Sequence, residues 1–182
     1  MQAKRVLGLL GGFTLFCLVL ATSALAQKDS DEISGLLSQA RTQAWQAAQD
    51  ADTLQSYTMS PMSWEAHAAQ LRLIQERVNA LAKTTLQLNN LRSQGSQWQQ
   101  DAIDRINPLL RDMNEALSNT IAALSNHPER VNMPPYREYA HANYDVCEEA
   151  ATVISDFVAY GKSKGASMSL REKLDLAPST KQ

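Results

Sequence analysis

Few residues of this chain can do chemistry, and their spacing limits what they can do. His67, His127 and His141 are its only 3 histidines. Cys147 is joined by one other cysteine, Cys17, which lies in an apolar N-terminal run. Covalent haem attachment needs Cys-x-x-Cys-His, for two thioether links and an axial ligand; that string is absent. A di-iron bundle needs carboxylates from four helices and two Glu-x-x-His pairs, because two metals need ligands from facing walls. One such string occurs, Glu138-Tyr139-Ala140-His141, and its register turns Glu138 toward the outside. Gly161-Lys162-Ser163 matches the end of a phosphate loop, but Asp156 stands where the first glycine is required and no strand precedes it. Gly-x-Ser-x-Gly and His-Glu-x-x-His are missing as well. Glu148-Glu149 reads as a solvated face. The chain is therefore read as a non-enzyme, with no catalytic residue, cofactor or metal ligand assigned.

Composition narrows the partners. The 17 Lys+Arg against 19 Asp+Glu give a net charge of −2, which excludes a basic stripe for nucleic acid. Hydrophobic residues at 44% with so little net charge argue against intrinsic disorder. The 7 Gly, 6 Pro and 2 Cys exclude collagen-like, Pro-rich and disulfide-scaffold classes.

The N-terminus reads as an address. Lys4 and Arg5 precede an uncharged run from Val6 to Ala26 that ends in Ala24-Leu25-Ala26, the small residues a signal peptidase requires. Residues 1–26 are expected to be a secretory signal peptide cleaved after Ala26. The competing reading is an uncleaved anchor, since an apolar run of about 21 residues is long enough to span a bilayer. Gly8, Gly11 and Gly12 weaken a permanent span. The expected location is periplasmic or secreted, with membrane contact only if the leader stays attached. Cys147 then has no internal disulfide partner. It is either a small buried residue or the link of a disulfide-bonded homodimer.

The elements that must position these residues are helices. Apolar residues recur at steps of three and four with no useful alternation of period two. One stripe runs Ile33, Leu37, Ala40, Ala44, Ala47, Ala51, Leu54; a second runs Trp64, His67, Leu71, Ile74, Val78, Leu81, Thr85, Leu88. A third runs Ile103, Ile106, Leu110, Met113, Leu117, Thr120, Leu124, and a fourth Ala140, Tyr144, Cys147, Ala151, Ile154, Val158, Gly161. Breakers cluster near 59–63, 93–96 and 126–135. Helices are predicted at 30–57, 61–93, 97–125 and 134–163.

End signals support these bounds. They are an Asp29/Glu32 capping box, Ser60-Pro61 as cap and first helical residue with Met59 and Trp64 as a hydrophobic staple, a left-handed Gly95, a Ser96/Gln99 capping box, and Pro134-Pro135. Pro108 is expected to kink a continuous third helix, the alternative being a break capped by Asn107. Short connections make neighbours antiparallel. The fold class is all-α: an up-down-up-down four-helix bundle over 27–165. A short C-terminal tail, 166–182, carries a separate candidate helix opened by a Ser169/Glu172 capping box and stopped by Pro178.

That topology collects one set of residues at one pole. All three histidines fall there, with Met59, Met62, Met133, Trp64 and the tyrosines Tyr57, Tyr136, Tyr139 and Tyr144. Trp98 and Tyr160 fall at the other end. The candidate binding residues are His67, His141, Tyr136, Tyr139, Trp64 and Met62. Rigid amphipathic rings suit recognition of a protein surface. Imidazole and thioether also suit copper or haem iron, and the plainest reading is an aromatic plug closing the bundle. In shape alone the bundle resembles periplasmic cytochrome-like and sensory-receptor bundles, and shape carries no function. The expectation is an exported cell-envelope protein, a non-enzymatic binding or structural module with an envelope protein as partner. The alternative is a small-ligand or metal/haem-binding bundle of sensory or electron-transfer type.

Overall fold

A computed structural model of the chain describes residues 28–174. The predicted leader, Leu176 and Pro178 lie outside these residues. Four helices run α1 Asp31–Tyr57, α2 Trp64–Leu91, α3 Gln97–Asn126 and α4 Pro134–Lys173, with short 3-10 turns at Arg92–Gln94 and Pro128–Arg130. No strand occurs among the described residues. Each helix packs on its two neighbours in the cyclic order α1, α2, α3, α4. With connections this short, the arrangement is the expected antiparallel four-helix bundle.

The stripes form the core. Every predicted seam residue of α1 is fully buried. The α2 seam is buried from His67 to Leu88, but Trp64 at its start is half exposed. In α3, Leu109 is buried and Leu110 only partly so. These neighbours point about 100° apart and straddle the seam, so a small helix rotation decides between them. In α4, Asn143 is fully buried while Tyr144 is half-buried. Threonines enter the core by donating to their own helix: Thr85 Oγ1 lies 2.8 Å from the Leu81 carbonyl and Thr120 Oγ1 2.8 Å from that of Ala116.

Several end signals act differently from the sequence expectation. Ser30, not Asp29, caps α1, accepting from Ile33 N at 3.3 Å. Asp29 is drawn away by Trp98 Nε1 at 2.9 Å and Lys164 Nζ at 2.6 Å. Helix α2 begins after Ser63, because Thr58 to Ser60 still bond back to the last carbonyls of α1 and hold Ser60-Pro61 in the exit turn. Met59 and Trp64 therefore do not flank the cap, and both are exposed. The Ser96/Gln99 capping box is present. Helix α3 is continuous through Pro108, and Asn107 caps nothing: its side chain donates to the Ile103 carbonyl and pairs with Asn89.

The glycines act through space rather than conformation. Gly95 is extended (φ −81°, ψ 149°), not left-handed. A Cβ there would stand 2.9 Å from Ile33 Cδ1 and 3.1 Å from Gln99 Cβ, so the α2–α3 connection lies directly on α1. At Gly161 a Cβ would stand 2.6 Å from the Trp98 ring, and α4 continues past it to Lys173. The predicted stop near 163 and the separate tail helix do not form, and Ser169 and Glu172 lie inside α4. A cap needs a chain reversal or a break before it, and here the helix has neither.

Two predictions follow from this packing. Leu81→Ala or Leu117→Ala removes a buried side chain and should cost roughly 2–5 kcal/mol in urea melts. In α4, alanine is the better helix former by about 1 kcal/mol, yet Gly161→Ala should destabilise by about 1–3 kcal/mol because Trp98 has to move. Gly165→Ala, where a Cβ meets nothing within 4 Å, should not destabilise at all. Equal effects at the two glycines would refute the close-approach account.

Candidate binding pole

The end formed by the C-termini of α1 and α3 and the N-termini of α2 and α4 is closed by a stack of rings. His67 stands between two tyrosines, edge-to-face: its centroid is 5.8 Å from that of Tyr57 and 5.3 Å from that of Tyr136. The stack thereby ties α1, α2 and α4 together, each such pair adding about 0.5–1.5 kcal/mol beyond burial. His67 is 0% exposed and Tyr136 only 4%. Neither ring nitrogen of His67, nor the Tyr136 hydroxyl, has a hydrogen-bond partner among the described residues. Burial with no compensating partner pulls the His67 pKa below its ordinary value and pushes that of Tyr136 above its own. His67 is thus a neutral core imidazole.

The other candidates lie around this plug. Trp64 is 48% exposed, Tyr139 43%, and Met62 is half-buried. Met59 and Met133, also at this pole, are 74% and 51% exposed. Beside the plug, a depression of 410 Å³ between the end of α3 and the start of α4 is lined by Tyr136, Tyr139, Met133, His127 and Arg130 among others. His141 is on the outer face of α4, with Nδ1 3.2 Å from Gln55 Nε2 and Nε2 3.5 Å from an Asp145 carboxylate oxygen. His127 belongs to the loop, with Nδ1 3.5 Å from Glu129, whose carboxylate also takes Arg130 at 3.1 Å. The three imidazoles thus share a pole but not a site: one is core, one is on a helix face and one is on a loop. Tyr136, expected on a recognition surface, is instead in the plug, because the first turn of α4 directs it inward against His67. Among the described residues no group of three or more His, Cys, Asp or Glu is placed to hold a metal ion.

Elsewhere among the described residues, buried polar groups are paired except for Gln43 Oε1. Gln99, fully buried, accepts from Ser30 N at 2.9 Å and Ser96 N at 3.1 Å, and donates to the Ser30 carbonyl and Ser34 Oγ. Burial raises the pKa of the Asp29 carboxyl, but hydrogen bonds led by that from Lys164 outweigh it and hold the group below its ordinary value. Asn143 donates to Thr120 Oγ1 at 3.3 Å and accepts from Cys147 Sγ at 3.7 Å. Cys147 is 0% exposed, and burial pushes its thiol up to about 12. It is the small buried residue of the two alternatives, out of reach of a second chain.

Sequence reasoning missed a second concavity. At the opposite pole a groove of 710 Å³ is lined by Trp98, Asp101 and Arg105 of α3 and by Val153, Asp156, Phe157 and Tyr160 of α4. The only signal for it was the pair Trp98 and Tyr160 at that end. Comparisons with protein families, with curated proteins and with solved structures found no match to this chain.

The neutral core imidazole makes a pH prediction. An unfolded imidazole titrates near pH ~6.5, and in the fold burial holds His67 below that value. Between the two values the unfolded chain binds the proton and the folded chain does not. Stability therefore rises with pH through that window and is lost as pH falls below about 6.5. Thermal melts between about pH 8 and 5 should show this loss, and His67→Phe should flatten it. A wild-type Tm that stays constant over that range would contradict the assignment.

Proposed function

We propose that the protein is exported to the cell envelope and serves there as a non-enzymatic binding module, with the Trp64–Tyr139 pole as its contact surface. The observation that carries this reading is the grouping of Met59, Trp64, Met133 and Tyr139, all exposed, around a plug that is itself buried. Exposed aromatics on rigid supports lose little conformational entropy on binding, and methionine adapts to the shape it meets. A protein surface of the envelope is the partner this chemistry suits. The lysine-arginine start, uncharged run and Ala24-Leu25-Ala26 end of the leader support export.

The test is position-specific photocrosslinking in the producing cell. A crosslinker at Trp64 or Tyr139 should capture one recurrent envelope protein, and the same group at Leu86, exposed on the flank of α2, should not. Equal capture at all three positions, or none at the pole, would remove the reading. Mass spectrometry of the same material reads the N-terminus, expected at Gln27.

A second reading, a bundle holding a small ligand or haem, draws its support from the buried and unpartnered polar atoms of His67 and Tyr136. Colour, or metal retained through dialysis of the purified protein, would favour it over the first.

A further inference from the structure

Helix α4 outlasts the bundle it belongs to. Among the described residues its last ties to the rest of the bundle are Gly161, covered by the Trp98 ring, and Lys164, bonded to Asp29 just before α1. From Gly165 to Leu174 every residue is exposed. This stretch holds Gly165, Ser167 and Ser169, poor helix formers, so without packing only weak propensity holds this end of the helix against fraying. Its large apolar side chains, Met168, Leu170 and Leu174, are each more than half exposed. The free end therefore has the character of a segment that another surface covers.

The outward face of α4 that carries the free end begins further back. Val153, Asp156, Phe157 and Tyr160 form one wall of the 710 Å³ groove. Tyr160, Ser163, Ser167 and Arg171 then line one shallow depression along the extension. Steps of three and four residues join the two into a single stripe from Val153 to Leu174.

We propose that this stripe pairs with itself: two copies of the protein associate through antiparallel α4 helices, the free end of each lying in the Trp98–Tyr160 groove of the other. A two-fold axis between Ser163 and Lys164 sets Val153 opposite Leu174, Phe157 opposite Leu170, Asp156 opposite Arg171 and Tyr160 opposite Ser167. Apolar meets apolar, acid meets base and large meets small, as a two-fold interface requires of a single surface. The lengths agree: at 1.5 Å per residue the free end rises about 15 Å beyond Lys164, and the groove wall runs about 16 Å back from Lys164 to Val153. Neither Asp156 nor Arg171 is in an ion pair among the described residues. The charge pattern favours a second copy over an anionic membrane: Asp101 and Asp156 outweigh Arg105 in the groove, and Arg171 and Lys173 outweigh Glu172 in the free end, so the two halves carry opposite net sign. A surface of one sign would satisfy one half of the stripe and repel the other.

Sedimentation velocity across a concentration series, on the protein as the cell makes it, tests this. A reversible dimer is expected. Leu170→Asp combined with Leu174→Asp lies outside the bundle, so folding is not at stake; it should raise the dimer dissociation constant by about tenfold or more. Asp156→Arg and Arg171→Asp should each weaken the dimer, and the two together should restore it. A monomer at every concentration, a dimer indifferent to the leucine pair, or a double charge reversal no better than either single one would overturn the proposal. So would a monomer that binds anionic lipid vesicles and loses that binding in the leucine variant.

Discussion

The width of the α1 seam is the constraint on which the rest of the molecule depends. Ala40, Ala44, Ala47 and Ala51 are four successive seam positions, and all are fully buried, with Ala48 beside them. The facing helix α4 supplies Ala140, Ala150 and Ala151, also buried. Helix separation follows from the side chains at the contact, so alanine against alanine draws α1 and α4 close along the middle of the bundle. The larger aliphatic side chains of the middle come from α2 and α3, among them Ile74, Leu81, Ile106 and Met113, and the aromatic rings gather toward the ends. The ring stack of Tyr57, His67 and Tyr136 is at one end, and Trp98 with its partners is at the other.

The two ends solve the same problem by different means. At the Trp98 end, polar groups are matched: Gln99 is bonded on both its oxygen and its nitrogen, and Asp29 joins Trp98 to Lys164. Such a network holds α1, α3 and α4 in one register, because an unmade bond there leaves a buried polar atom at about 1–3 kcal/mol. At the His67 end, ring faces and edges provide the cohesion and three polar atoms have no partner among the described residues. Those atoms oppose stability, and burial of His67 makes this end respond to protons below about pH 6.5, whereas the Asp29 network at the other end responds only at the lower pH where carboxylates titrate. It is also the end with the exposed Met59, Trp64, Met133 and Tyr139. Local weakness and surface stickiness thus coincide at the proposed contact surface, as they do at many binding elements.

The other pole carries a different asymmetry. Trp98 fills the space left by Gly161 and is bonded to Asp29, so the α3 side of the groove is fixed before anything occupies it. The free end of α4 is its counterpart, long and unsupported. A preformed groove and a free helix on one chain make binding between copies economical in ordering entropy at the groove and costly only at the helix. In the two proposals the poles take separate roles: one for a partner of different kind, one for a second copy.

The sequence by itself determined the helices and their buried faces. The period of three and four is a local property of the backbone, so Ile33 to Leu54, Leu71 to Leu88 and Ile154 to Val158 could be assigned inward without knowing their neighbours. The Ser96/Gln99 box was legible for the same reason, since both partners lie within one turn. So was the gathering of histidine, methionine and tyrosine at one end, which follows from topology alone. Only the tertiary structure decided what each end residue does. Gly95 read as a helix stop and Gly161 as one more seam position, yet each is small because another helix passes within contact distance of it. Asp29 read as a cap, yet a tryptophan and a lysine from distant segments outcompete the local amide. His67 and His141 looked like one cluster, but the stack takes one inward and leaves the other on the helix flank. Local signals describe what a segment can do alone; which of these it does is set by contacts between residues far apart in sequence, and these ends are made of such contacts.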